Sequence, residues 1–222
     1  MKKNELRVGV VLSYFNLGLS TIIPLFYTPL MLKMLGQSEY GLYSLAVSAV
    51  SYLSLLSFGM GSTIIRYISK YRAENDKESE EKAFGFFLAL YCFLACVVLI
   101  CGIIISNNAK IIFDKSLNVE ELSKIKSLIM IMTVNSAFSF PCAVFSSVII
   151  SHEKYIFRKL VDMIPTVITP CANLLVLFLG YGSIGMAGVA AILQIVTLPV
   201  YGFYCIKNIN ITKVITFVCV FI

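Results

Sequence analysis

Four side-chain amides, Asn16, Asn135, Asn173 and Gln194, stand in stretches of this sequence that carry no charge. An amide both donates and accepts hydrogen bonds, and in an apolar setting each one must find partners. Around Asn16, the residues Ser13, Ser20, Pro24 and Tyr27 recur at helical spacing and share one face. Ser44, Ser48, Ser51, Gly59 and Ser62 form a second stripe, with Leu55 in its middle. Such stripes have two readings, a seam of small residues that lets helices approach closely or the wall of a water-filled cavity. For Asn16 both readings stay open, because its amide can be satisfied by water or by a neighbouring helix. Gln194 joins Asn16 as a candidate for contact with a polar ligand.

Charged and nucleophilic residues supply little catalytic chemistry. The single histidine, His152, lies in "SHEKY", and the sequence holds no H-E-x-x-H, G-x-S-x-G or P-loop motif. The seven cysteines all fall in apolar runs and form no C-x-x-C pair, which points to neither zinc nor redox chemistry. An intramembrane enzyme needs several acids, bases or metal ligands converging on one site, so neither enzyme activity nor a cofactor or metal is expected. Asp162 has Arg158 and Lys159 within helical reach for a local ion pair. Arg66 ends an apolar run, where its guanidinium can snorkel to the membrane surface or meet a lipid-linked phosphate.

The elements that must position these groups are membrane spans. The chain has 222 residues, 59% hydrophobic and 14% charged, with a mean hydropathy of +0.88; soluble domains carry roughly 25% charged residues. Uncharged runs cover Val8–Leu32, Tyr40–Ile65, Ala83–Ala109, Ser127–Ser151 and Met163–Ile206. About 20 apolar residues cross a hydrocarbon core, so the first four runs are one crossing each. The fifth divides into two helices at the glycine turn "GYGSIG". The expected fold is an all-α polytopic membrane protein with six spans, at about 8–32, 40–65, 83–108, 122–151, 160–179 and 184–206. Although "MKKNELR" before an apolar run looks like a signal peptide, the run is too long for one and no clear cleavage site follows. It is expected to be a retained first span.

With the N-terminus in the cytoplasm, thirteen of the 18 basic residues fall on the inner side, as the positive-inside rule requires. The net charge of +6 follows from that bias and does not indicate nucleic-acid binding, since the basic residues are spread over many loops. Lys70–Lys82 mixes both signs and reads as a solvated inner segment, and Tyr67, Tyr71 and Tyr155 fit an interfacial aromatic belt. Asn118 with Glu121 forms a capping-box pattern that starts a helix on the outer side. The absence of carboxylates deep in the spans argues against an ion-coupling site within these residues.

The segments "PLFYTPLMLKMLGQSEYGLYSL" (Pro24 to Leu45) and "YLSLLSFGMGSTIIRYISKYRAENDKESEE" (Tyr52 to Glu81) resemble the bacterial polysaccharide and O-antigen flippases. These belong to the multidrug/oligosaccharidyl-lipid/polysaccharide exporter superfamily. The resemblance rests on a first helix with two prolines, on L-G-x-x-E-Y-G-L-Y at Leu35 to Tyr43, and on F-G-M-G followed by R-Y. It implies a two-lobed fold with a central cavity and alternating access, carrying an undecaprenyl-diphosphate-linked oligosaccharide across the bacterial cytoplasmic membrane. The partners it implies are that lipid-linked oligosaccharide, membrane lipids and glycan-assembly proteins. Uncharged Asn, Gln, Ser and Tyr suit sugar hydroxyls. A drug/cation antiporter of the same superfamily, or a non-transporting subunit of a glycan-assembly complex, are the alternative expectations.

Residues 1–213 would then be one six-helix lobe. The nine apolar residues of "VITFVCVFI" at 214–222 rise only about 14 Å, so they read as the opening of a seventh span in a fragment of a longer protein. Pro24 and Pro29 remove two backbone hydrogen bonds from the first helix, making it a candidate hinge. The similar spacing of Pro165 and Pro170 lies nearer the inner end of its helix and reads as chance.

Overall fold

The structure, a computed structural model, describes residues 3–57, 59–113 and 117–209. The regular structure of those residues is all helical, without a strand. The elements are α1 (Lys3–Leu35), α2 (Gln37–Ser54), a 3-10 turn (Leu55–Ser57), α3 (Met60–Ala73), α4 (Lys77–Asn107), α5 (Ala109–Phe113), α6 (Val119–Ser151), α7 (Tyr155–Phe178) and α8 (Gly182–Ile209). The expected seventh span at 214–222 lies outside the described residues.

Five helices, α1, α4, α6, α7 and α8, are long and apolar enough to cross a membrane. The chain is therefore a multi-pass membrane protein. The run expected to be one continuous span at 40–65 is instead divided. α2 ends at Ser54, a 3-10 turn follows, and α3 starts after Gly59. Gly59 has φ +65°, which a side chain rarely adopts; it thus marks a break inside an apolar run. The serine stripe predicted for this span is divided with it. Ser44, Ser48 and Ser51 share α2, Gly59 sits in the break, and Ser62 bonds back to the Gly59 carbonyl at 2.9 Å.

α6 is the central post. It is buried on every side along much of its length and packs against α2, α3, α4 and α8; a helix apolar all round belongs in a core. Closest approach to α4 comes at Gly102, where an added Cβ would run into the Thr133 side chain. α1 lies at the edge, packed mainly on α7. Gly9 faces Tyr155 and Tyr27 bonds Asn173, and both contacts link residues 146 apart. The two helices therefore run parallel in constant register. That register levels Pro24 with Pro170, so the two proline pairs are offset by about 7.5 Å along the bundle, and α1 continues unbroken through both of its own prolines.

Local signals set the ends. Asp76 caps α4 by accepting from the Ser79 N–H at 3.1 Å. Glu121 returns to the Asn118 N–H at 2.9 Å, the carboxylate arm of the expected capping box. "GYGSIG" does divide the long apolar run, between Phe178 and Gly182. The helix directions gather Arg66, Lys70, Arg72, Lys82, Lys154, Arg158, Lys159 and Lys207 at one end of the bundle, called here the basic end.

Candidate functional site

A cavity of about 260 Å³ opens between α2, α6 and α8. Its polar wall holds Ser51 and Ser54 from α2, Asn135, Ser136 and Ser139 from α6, and Gln194 from α8, with Tyr43 at one side. Helical spacing builds it, since residues 135 and 139, like 190 and 194, are one turn apart. The Ser54 and Ser136 hydroxyls lie 3.1 Å apart, and Ser139 donates to the Ser136 carbonyl at 2.6 Å. No Asp, Glu, Lys, Arg or His is in the wall. This surface can exchange hydrogen bonds with a neutral, hydroxyl-rich ligand without desolvating a charge. α2 ends at Ser54, so the break in the helical ladder adjoins the cavity.

The other sequence-predicted residues fall elsewhere. Asn16, Pro24, Tyr27 and Pro29 are on α1, outside the cavity wall. The Tyr27 hydroxyl accepts from the Asn173 amide at 3.0 Å, which joins α1 to α7. The carbonyl oxygens of both Asn16 and Asn173 are buried without a hydrogen-bond partner. Arg66 stands exposed on α3 near the basic end and is not part of the cavity wall. Only Gln194 of the candidate set lines the cavity, and Asn135, one of the four amides in uncharged stretches, lines it as well. Asp162 takes the expected ion pair with Arg158 at 3.4 Å and also accepts from the Tyr201 hydroxyl at 2.8 Å.

Two polar nodes tie α6 to its neighbours, and neither was expected from sequence. Opposite the basic end, Glu39 accepts from both the backbone N–H and the hydroxyl of Ser183, each at 2.9 Å, and pairs with Lys124 at 3.6 Å. One carboxylate thereby joins α2, α6 and the N-terminal turn of α8, where negative charge is favoured. Gly182 (φ +58°) leaves the room, since a Cβ there would strike the Glu39 carboxylate. The conspicuous acid in L-G-x-x-E-Y-G thus has a structural function. Ser38 beside it donates to Glu121 at 2.7 Å.

At the basic end, the His152 ring lies 3.1 Å from the largely buried Glu80 carboxylate, and Arg72 donates to the Ser151 carbonyl at 2.8 Å. α3, α4 and the end of α6 meet there. Burial holds the His152 pKa below the ordinary histidine value. Among the described residues, no group of three His, Cys, Asp or Glu converges as a metal site would require.

No curated protein and no solved structure matches this chain. Residues 9–220 match the family described as polysaccharide biosynthesis protein, nearly the whole length. That is the family anticipated by the motifs of α1, α2 and α3, and the chain belongs to it.

Proposed function

We propose that this chain functions in a flippase that moves an undecaprenyl-diphosphate-linked oligosaccharide from the inner to the outer leaflet of the bacterial cytoplasmic membrane. The observation that carries the reading is the charge-free cavity bounded by Asn135, Gln194 and four serines inside an otherwise apolar bundle. A glycan passing through a membrane protein needs many hydrogen bonds and no net charge in its path. Membership of the polysaccharide biosynthesis family supports the same cargo class. The polyprenyl tail would remain in lipid, while basic residues including Arg66 receive the diphosphate.

In this reading the basic end faces the cytoplasm, as the positive-inside rule predicts. α2 supplies the sixth crossing. Its 18 residues rise about 27 Å against a core of about 30 Å, and the broken turn with the start of α3 completes the distance. Non-helical backbone is tolerated at that depth where it adjoins a cavity. Pro24 and Pro29 would let α1 flex as the lobe moves.

The cavity is tested by Asn135→Leu combined with Gln194→Leu. Each hydrogen bond contributes about 0.5–1.5 kcal/mol, so losing two should lower export roughly tenfold while membrane insertion stays normal. Wild-type export from the double variant would remove the cavity from the path.

A further inference from the structure

We propose that the groove between α1 and α7 at the basic end is a binding site for an anionic phospholipid of the bilayer, held by its phosphate at Lys159 and Tyr155. The groove encloses about 540 Å³ and is lined by Gly9, Val10, Ser13, Tyr14 and Leu17 of α1 facing Tyr155 and Lys159 of α7. Ligand sites run from about 300 to 1,000 Å³. The α1–α7 register orders its chemistry along the bundle: Tyr155 is level with Gly9 and Lys159 with Ser13, while Leu17 lies one turn deeper. The Ser13 hydroxyl is spent on the Gly9 carbonyl at 2.8 Å. The Lys159 ammonium and the phenols of Tyr155 and Tyr14 are the polar groups left for a ligand, and Lys159 and Tyr155 sit toward one end of an apolar trough. That polarity fits a molecule with an anionic head and a hydrocarbon tail.

Charge complementarity favours a phosphate. Lys154, Arg158 and Lys159 share the same stretch of chain, against Glu153 and Asp162. Arg158 is committed to Asp162, which leaves Lys159 as the cation in the groove wall. Gly9 contributes no side chain and the half-exposed Tyr155 offers a ring face with a terminal hydroxyl, an arrangement suited to the headgroup boundary. The site lies on the α1–α7 side of the bundle, apart from the α2–α6–α8 cavity, so it concerns a resident lipid and not the glycan in transit.

The test is native mass spectrometry of the whole protein, purified and exchanged into nanodiscs of phosphatidylcholine and phosphatidylglycerol in a 3:1 ratio, counting lipids retained on release. A lysine near an anionic headgroup contributes about fivefold in binding. Lys159→Gln should therefore cut retained phosphatidylglycerol about fivefold, Lys159→Arg should restore it, and Lys77→Gln, an exposed lysine at the same end, should leave it unchanged. Equal retention of both lipids, no change in Lys159→Gln, or an equal loss in Lys77→Gln would overturn the site, as would co-purified polyprenyl diphosphate in place of phosphatidylglycerol. Export is not measured in this assay, so its result stands apart from that of the flippase reading.

Discussion

Glu39 shows how one side chain can matter more than its exposure suggests. Its partner Ser183 is fully buried at the start of α8, so Glu39→Ala leaves a buried hydroxyl and a helix N–H without their acceptor. Such losses cost about 1.5–3 kcal/mol when the acceptor is charged, or roughly 3–12 °C in unfolding temperature for a chain of this size. Lys124→Ala removes only a half-exposed ion pair, worth about 0–1 kcal/mol. Thermal unfolding in detergent should rank the two in that order, and equal losses would refute the Ser183 clamp. The buried His152 contributes with the opposite pH logic to a histidine whose pKa is raised by a charged partner. Because its folded pKa is depressed, its stabilising contribution is complete above the ordinary value of about 6.5 and is lost as pH falls from there toward the folded value. The unfolding temperature should drop over that interval in the wild type and drop less in His152→Gln. Superimposable pH profiles would show that His152 is not the group responsible.

At the scale of elements, the spans were legible because hydrocarbon forces long uncharged runs, and α1, α4, α6, α7 and α8 each lie on one. The break between α2 and α3 was not, because an uncharged run reports composition and says nothing about where backbone hydrogen bonding stops. Its signal was present in the two glycines of "FGMG". Gln194 was recognisable as an amide within a span, whereas the partnership of Glu80 with His152 depends on how α4 and α6 pack and leaves no local pattern. That packing makes a prediction of opposite signs for two glycines of α4. An added methyl at Gly102 meets Thr133, while at Gly85 nothing lies within 4 Å. Gly102→Ala should destabilise by about 1–3 kcal/mol through overpacking, and Gly85→Ala should be neutral or gain up to about 1 kcal/mol from helix propensity. Denaturation of the two variants in one detergent checks it; no loss at Gly102 would mean that α4 and α6 are not so closely apposed.

On the scale of the whole molecule, α6 carries the core, the Glu39 and Glu80 nodes tie it to its neighbours at opposite ends, and the charge-free cavity lies between α2, α6 and α8. Neighbours fastened to the two ends of α6 suit a bundle that moves as one body, with α1 packed mainly on α7 at its edge. Apolar runs and the motifs of residues 24–81 were enough to point to the family, whereas the cavity emerged only from the lateral order of the helices. The central claim is that this protein carries a lipid-linked glycan across the membrane. The most direct test is the amount of lipid-linked oligosaccharide on the outer leaflet of a strain deleted for the gene, with and without a complementing copy. The account predicts that the deletion abolishes the outer-leaflet pool, that the glycan accumulates on the inner side, and that complementation restores export. Undiminished outer-leaflet glycan in the deletion strain would contradict it.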